Sequence, residues 1–393
     1  MAAVLDGIRV LDFGRYVAGP VCATLLGDLG AEVIRIERPE GGEDRELCPI
    51  GSDEGDALFL TTGRNKSGIT LSLGSEEAKP ILERLVKSAD VVVANMPLSI
   101  LKKVGLDYES LKAIKENIIL TTPSAYGENG PYSKKVGFDG VAQAMSGTMY
   151  LSGEGTPTKA SAPYVDYATA CLSAFATLAA IHELKKSGQG QHVETSLLSS
   201  ALMVGNVAIT EQAELNINRK PIGNRTQYAA PADTFQSKDG WVIVQTIGPY
   251  MFKRWCALVG KPEFLEDERF KDDDSRGVHG FYLSEVMQAW CSQFTSKELV
   301  AKLEANRLPC AEVLTPQQAL EDEHVVATEQ LVDMEFPGLK SPAKIVAPPF
   351  KLSETPAKTV GRAPLLGEHT DKILAKLGFS DVELKEFREN KAI

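Results

Sequence analysis

No Cys-x-x-Cys pair occurs in the 393 residues, although six cysteines stand at positions 22, 48, 171, 256, 291 and 310. Scattered single thiols build neither a disulfide framework nor a redox pair, and they suit a reducing compartment. The five histidines are equally dispersed. His182 and His192 lie too far apart, across a helix end, to share a metal, so no metal site is expected. No run approaches the roughly 18 consecutive apolar residues that a membrane span needs. Met1–Asp6 lacks the basic stretch and apolar core of a secretory leader, so a cytoplasmic location is expected. Positive charge is in short supply, with 42 Lys and Arg against 53 Asp and Glu and a net charge of −11. That balance argues against non-specific nucleic-acid binding, which needs a basic face.

What is present suffices for two domains, because 43% of a chain longer than one ordinary domain is hydrophobic. The stretch Val10 to Arg38 reads as strand, tight turn, helix and strand, a parallel βαβ unit. Such a unit places a ligand at the carboxyl end of its first strand. Its turn, Gly14-Arg-Tyr-Val-Ala-Gly19-Pro20, is not the Gly-x-Gly-x-x-Gly phosphate grip. A dinucleotide-dependent dehydrogenase is thereby disfavoured and another ligand must be sought.

The alternation continues. Ile8–Phe13, Glu32–Glu37, Ile69–Leu73, Asp90–Asn95, Ile118–Thr122 and Gln191–Thr195 read as strands, with helices at Cys22–Leu29, Glu76–Ser88 and Leu106–Asn117 between them. This first half is α/β and doubly wound in style. After about residue 205 the pattern changes to a strand at Trp241–Gln245 followed by helices. The expected organisation is a large domain over 1–205, completed by about 345–393, and a small domain over 225–330. Segments 206–224 and 331–344 are the linkers.

One acidic residue stands apart. Ser161 and Pro163 are helix-start signals, and the stripe Leu172, Phe175, Leu178, Ile181 follows, so Asp166 falls in a first helical turn. Two roles are open there. The carboxylate complements the helix dipole, worth typically about 0.3–1 kcal/mol, or it faces a cleft as a nucleophile.

The motifs Arg15-Tyr-Val-Ala-Gly-Pro20, Leu26-Gly-Asp-Leu-Gly-Ala-Glu-Val-Ile-Arg-Ile-Glu-Arg38, Asn65-Lys66-Ser67, Asn95, Gly137-Phe-Asp-Gly-Val-Ala-Gln-Ala-Met-Ser-Gly147, Asp166-Tyr-Ala-Thr and Arg362-Ala-Pro-Leu-Leu-Gly-Glu-His369 run the length of the chain. Together and in order they resemble the class III CoA-transferase family, which includes formyl-CoA transferase, carnitine CoA-transferases and α-methylacyl-CoA racemases. The resemblance implies a Rossmann-like large domain, a smaller α+β domain, two crossing linkers and an interlocked dimer. The dimer would be two copies of this chain, or this chain with a related one. It implies no resident cofactor, since a coenzyme A thioester and a carboxylic acid are the substrates. Asp166 would attack the thioester and carry CoA as an aspartyl thioester. CoA would contact Val17, Ala18, Arg38, Leu71, Leu73, Asn95, Met96, Lys103 and Tyr126. Arg38 is physically apt, because a guanidinium stacks on adenine or forks onto phosphate.

Two departures narrow this expectation. The racemase branch has a histidine where this chain has Phe138, which cannot exchange a proton, so a 2-methylacyl-CoA racemase is the weaker alternative. Formyl-CoA transferase has Gln at the position of Val17 and a glycine-rich loop where this chain has Thr246-Ile-Gly-Pro-Tyr-Met251. Val17, Tyr250 and Met251 imply a larger, more apolar acyl pocket, with a succinyl-CoA-type donor and Arg225 near its second carboxylate. A CoA-binding subunit dependent on a partner chain is the remaining alternative.

Overall fold

The computed structural model describes residues 3–52 and 54–393; the first residues of the leader reading lie outside the described ones. Six strands form a central sheet: β1 (Arg9–Asp12), β2 (Glu32–Glu37), β3 (Lys66–Thr70), β4 (Val91–Val93), β5 (Ile119–Ser124) and β6 (His192–Ser196). They lie in the order β3-β2-β1-β4-β5-β6, and every neighbouring pair is parallel. The winding reverses between β1 and β4, and ligands of doubly wound sheets bind outside the carboxyl ends of the strands at that point.

Side-chain alternation explains why the sheet is covered on both faces. Val10, Val33, Val91, Val93 and Ile119 enter one apolar cluster with Cys22 and Leu26 of helix α1 (Ala18–Asp28). Leu11, Ile34, Val92 and Leu120 point the other way, onto Ile81 and Leu85 of the amphipathic helix α2 (Ala78–Ser88). Each such fully buried side chain contributes about 1.5–3 kcal/mol of apolar transfer. The long helix α4 (Tyr164–Ser187) completes the first face, with Ala170, Ala174 and Ile181 in the same cluster as α1, and helix α3 (Asp139–Met145) packs on α4, where Ala142 and Val165 share a smaller cluster.

The chain divides into two compact units, residues 1–146, 161–204 and 324–393 in one, and 147–160 with 205–323 in the other. The second unit has a three-stranded antiparallel sheet, in which Trp241–Gln245 pairs with Ala232–Gln236 and Cys310–Glu312. Its core is aromatic: Phe252 stacks on Trp255 at 5.5 Å between centroids, and Phe264 meets Phe270 at 5.1 Å.

Several elements depart from the sequence expectations for physical reasons. The third strand begins at Lys66 rather than Ile69, because a buried lysine with an internal partner hides the strand's start from a hydrophobicity reading. Helix α1 begins at Ala18, ahead of Cys22, with Pro20 inside its first turn where no N–H is needed. The expected linkers are partly ordered: Asn206–Leu215 is a helix, and Leu331–Met334 pairs antiparallel with Ala343–Val346. Among the described residues, α4 is long and apolar enough, by length and composition, to cross a membrane. The expectation concerned unbroken apolar runs, and α4 holds none of about 18 residues, being interrupted by Asp166, Thr169, Ser173, Thr177 and His182. Its Ser and Thr residues interrupt the apolar run without making the helix polar, and in this fold it packs on α1 and the sheet.

Candidate active site

The turn after β1 is held from three sides. The Gly14 N–H donates to Asp12 Oδ1 at 2.8 Å. The Asn95 amide, just beyond β4, accepts from the Arg15 N–H and donates to the Arg15 carbonyl, each at 2.8 Å. Tyr16 adopts φ +61°, a left-handed conformation costly for a bulky residue. Gly14 is obligatory here, since a Cβ would lie 2.7 Å from Pro20 Cδ and 2.8 Å from Asp12 Oδ1.

Beneath the turn lies a buried charge cluster. The Lys66 ammonium donates to Asp12 Oδ2 and to the Pro20 carbonyl, both at 2.7 Å, so it ties the end of β1 to the start of α1. Arg35 donates to the Gly14 carbonyl and to Asp44, the latter at 2.7 Å. Burial pushes the Asp12 carboxyl up, but Lys66 and Arg35 outweigh it and hold the group below its ordinary range. Burial pulls the Lys66 ammonium below its ordinary range despite Asp12.

Asp166 lies in the first turn of α4, as its spacing predicts. Its carboxyl is pushed up to about 6, first by burial and then by the charge of Asp139. Asp139 opens α3, and its Oδ2 accepts the N–H groups of Val165 at 2.8 Å and Asp166 at 3.2 Å. Phe138 meets Tyr16 edge to face, with centroids 5.5 Å apart.

These parts enclose two adjoining clefts, both within the first unit. One, of about 310 Å³, is lined by Asp166, Val17, Ala18, Asn95, Met96 and Tyr126, with Phe138 at its wall. The other, of about 290 Å³, is lined by Arg38, Leu71, Leu73 and again Met96. Arg15 also borders both. Eight of the nine expected ligand contacts therefore line this pair of clefts, Lys103 being the exception. Lys103 is exposed on the helix Leu98–Val104 and lines neither. Arg225 belongs to the second unit, where it pairs with Glu154 at 3.1 Å, and Tyr250 is largely exposed there.

Three contributors went unassigned from sequence. Arg15 stood inside the motif of the turn and, with Arg38, pairs with Glu43. Lys66 stood in the motif Asn65-Lys66-Ser67, but its partner Asp12 is 54 positions away. Asp139 follows Phe138 directly, and its tie to Asp166 spans 27 positions.

The fold is thus a doubly wound sheet with a cleft at its switch point and the half-buried Asp166 carboxylate on the wall of that cleft. The chain matches the model of CoA-transferase family III over residues 5–370, and it belongs to that family. It is 31% identical over 396 residues to the succinyl-CoA–L-malate CoA-transferase beta subunit of Chloroflexus aurantiacus, covering 99% of this chain and 98% of that one. It is 32% identical over 390 residues to the succinate–glutarate CoA-transferase of Agrobacterium fabrum, covering 95% of each. The crystal structure of a CAIB/BAIF family protein from Brucella suis superposes with a TM-score of 0.84 at 31% identity, over 96% of this chain and 100% of that one. The protein is a CoA-transferase, and CoA thioesters are its substrates.

Proposed function

We propose that this enzyme moves CoA from succinyl-CoA to a second carboxylic acid through a covalent thioester on Asp166. The observation that carries the reading is the Asp166 carboxylate, at a helix start on the wall of a switch-point cleft, in a family III chain. Relatives named for succinyl-CoA support the donor.

On this reading the nucleotide end of CoA lies in the cleft of Arg38, Leu71 and Leu73, where Arg38 meets adenine or phosphate. Lys103 reaches a phosphate only from the surface. The thioester end passes Met96 and Asn95 into the cleft of Val17, Ala18, Tyr126 and Asp166. An Asp166 oxygen attacks the thioester carbon and the C–S bond breaks, giving a mixed anhydride and CoA thiolate. The thiolate attacks the aspartyl carbonyl, releasing succinate and leaving aspartyl-CoA. The acceptor carboxylate then attacks that thioester, forming a second anhydride and freeing the thiolate again. Attack of the thiolate on the acceptor's acyl carbon yields the new thioester and restores Asp166. Each step exchanges one acyl bond for another, the logic of covalent catalysis. A carboxyl group titrating near 6 is mostly ionised at neutral pH, yet more basic than an ordinary aspartate.

The first unit is then the CoA-binding domain of a cytoplasmic dimer. Exposed Phe175, Met203 and Val204 supply apolar surface for such an assembly to cover. A related chain can be the partner: the Chloroflexus beta subunit is a relative, and so is an alpha subunit, 28% identical over 398 residues. Phe138 stands where a racemase needs its proton-exchanging histidine, which disfavours that alternative.

Asp166→Asn tests the proposal. Exchange of isotopically labelled succinate into succinyl-CoA should disappear while CoA binding persists. Exchange at the wild-type rate in the folded variant refutes it.

A further inference from the structure

The helix that carries Asp166 is not capped by its own leading residue. Pro163 occupies the N-cap of α4, with no side-chain hydrogen bond to the opening turn. The N–H groups of Val165 and Asp166 are taken instead by one oxygen of Asp139, from the start of α3. The other oxygen of Asp139 accepts from Gln143, one turn along α3. Asp139 is only 5% exposed and Gln143 1%, so the arrangement is built into the interior. The same helix start follows Phe138 of the cleft wall. Asp139 thus connects the wall to the turn that bears the nucleophile.

A neutral side chain would satisfy those two N–H groups. A buried carboxylate does so while adding a negative charge beside a second carboxylate, which is unfavourable unless that repulsion is relieved later. Acylation relieves it: when an Asp166 oxygen bonds the acyl carbon, the charge leaves Asp166 and departs on the CoA sulfur.

We propose that Asp139 is a positioning residue for the transfer, fixing the first turn of α4 through two backbone N–H groups and setting a second carboxylate beside that of Asp166. The inference rests on the reading of Asp166 as the nucleophile. The other ionisable groups bordering this cleft or adjoining Asp166 are Arg15, Lys135, Glu128 and the phenols of Tyr16, Tyr126 and Tyr167. Only Asp139 joins burial in raising the Asp166 carboxyl.

The test is single-turnover labelling of Asp166 by succinyl-CoA without acceptor, followed by peptide mass spectrometry, from about pH 4.5 to 8.5. The wild-type acid limb should fall near 6. Asp139→Asn keeps an oxygen for both N–H groups and removes the charge. Its acid limb should move down by about one unit, and its plateau rate should fall several-fold because the carboxylate is less basic. Asp139→Ala also loses the cap, and its plateau should fall by about 10- to 100-fold through misplacement of Asp166. A purely structural cap would lower rates without moving the acid limb of Asp139→Asn. An unmoved or raised limb, with the wild type labelled at Asp166, overturns this inference alone. A wild-type chain that binds CoA and is never labelled at Asp166 overturns the nucleophile reading, and this one with it.

Discussion

The Asn95 side-chain amide pairs with both backbone groups of Arg15, each hydrogen bond being 2.8 Å long. It thereby joins the residues beyond β1 to those beyond β4 across the switch point. The turn so held borders both clefts through Arg15. Asn95→Ala leaves two backbone groups without their partner, at a cost of about 1–3 kcal/mol. The KM for the acyl-CoA should rise about tenfold with a smaller change in kcat, because the turn loosens around the ligand rather than at the reacting carboxylate. Steady-state kinetics decide it, and an unchanged KM contradicts the assignment.

Lys66→Met should be among the most damaging single changes, costing about 3–5 kcal/mol, because it strips Asp12 of a buried partner. Denaturant unfolding at neutral pH measures this. Adding Asp12→Asn should recover part of the loss. The sign with pH follows from Asp12, whose folded-state carboxyl is held below its ordinary 3.8. Its contribution is present above that pH and is lost as acid titrates the folded carboxyl.

Asp166 has the opposite sign. Its folded carboxyl titrates at about 6 against an ordinary 3.8. Stability linked to it is fully present below the ordinary value and is lost as pH rises through about 6. Asp166→Asn should therefore stabilise the fold near neutral pH, on the order of 1–2 kcal/mol, and give no gain near about pH 4. Chemical denaturation at the two pH values checks the difference. Equal effects at both contradict the placement of Asp166 in a partly desolvated site.

Phe138→His places a titratable ring at the position of the racemase base, where the native ring meets Tyr16 edge to face, but it leaves the rest of the site unchanged. No deuterium should enter the α-carbon of a 2-methylacyl-CoA in heavy water. Rapid wash-in would return the racemase reading to contention.

The elements legible in the sequence were those whose cause is local. The βαβ unit from Val10 to Arg38 and the stripe Ile81, Leu82, Leu85 of α2 follow from the alternation of apolar residues. The turn at Gly14 and the first-turn position of Asp166 follow from helix and turn chemistry. Hidden elements depended on distant partners. Lys66 reads as a polar interruption until Asp12 lies beside it. Asn65 stood only within the motif Asn65-Lys66-Ser67, yet its side chain bonds the Lys358 carbonyl at 2.8 Å and the Val360 N–H at 2.7 Å. No local pattern reveals a contact spanning 295 positions. Asp139 is the instructive case, since its residue type was visible and its partner was not.

The most direct measurement is to incubate the purified protein with succinyl-CoA and no acceptor, trap with hydroxylamine or borohydride, and map the modified peptide by mass. The account predicts modification at Asp166, growing in with the release of succinate. A chain that binds CoA, turns over when acceptor is added, and carries no modification at Asp166 contradicts it.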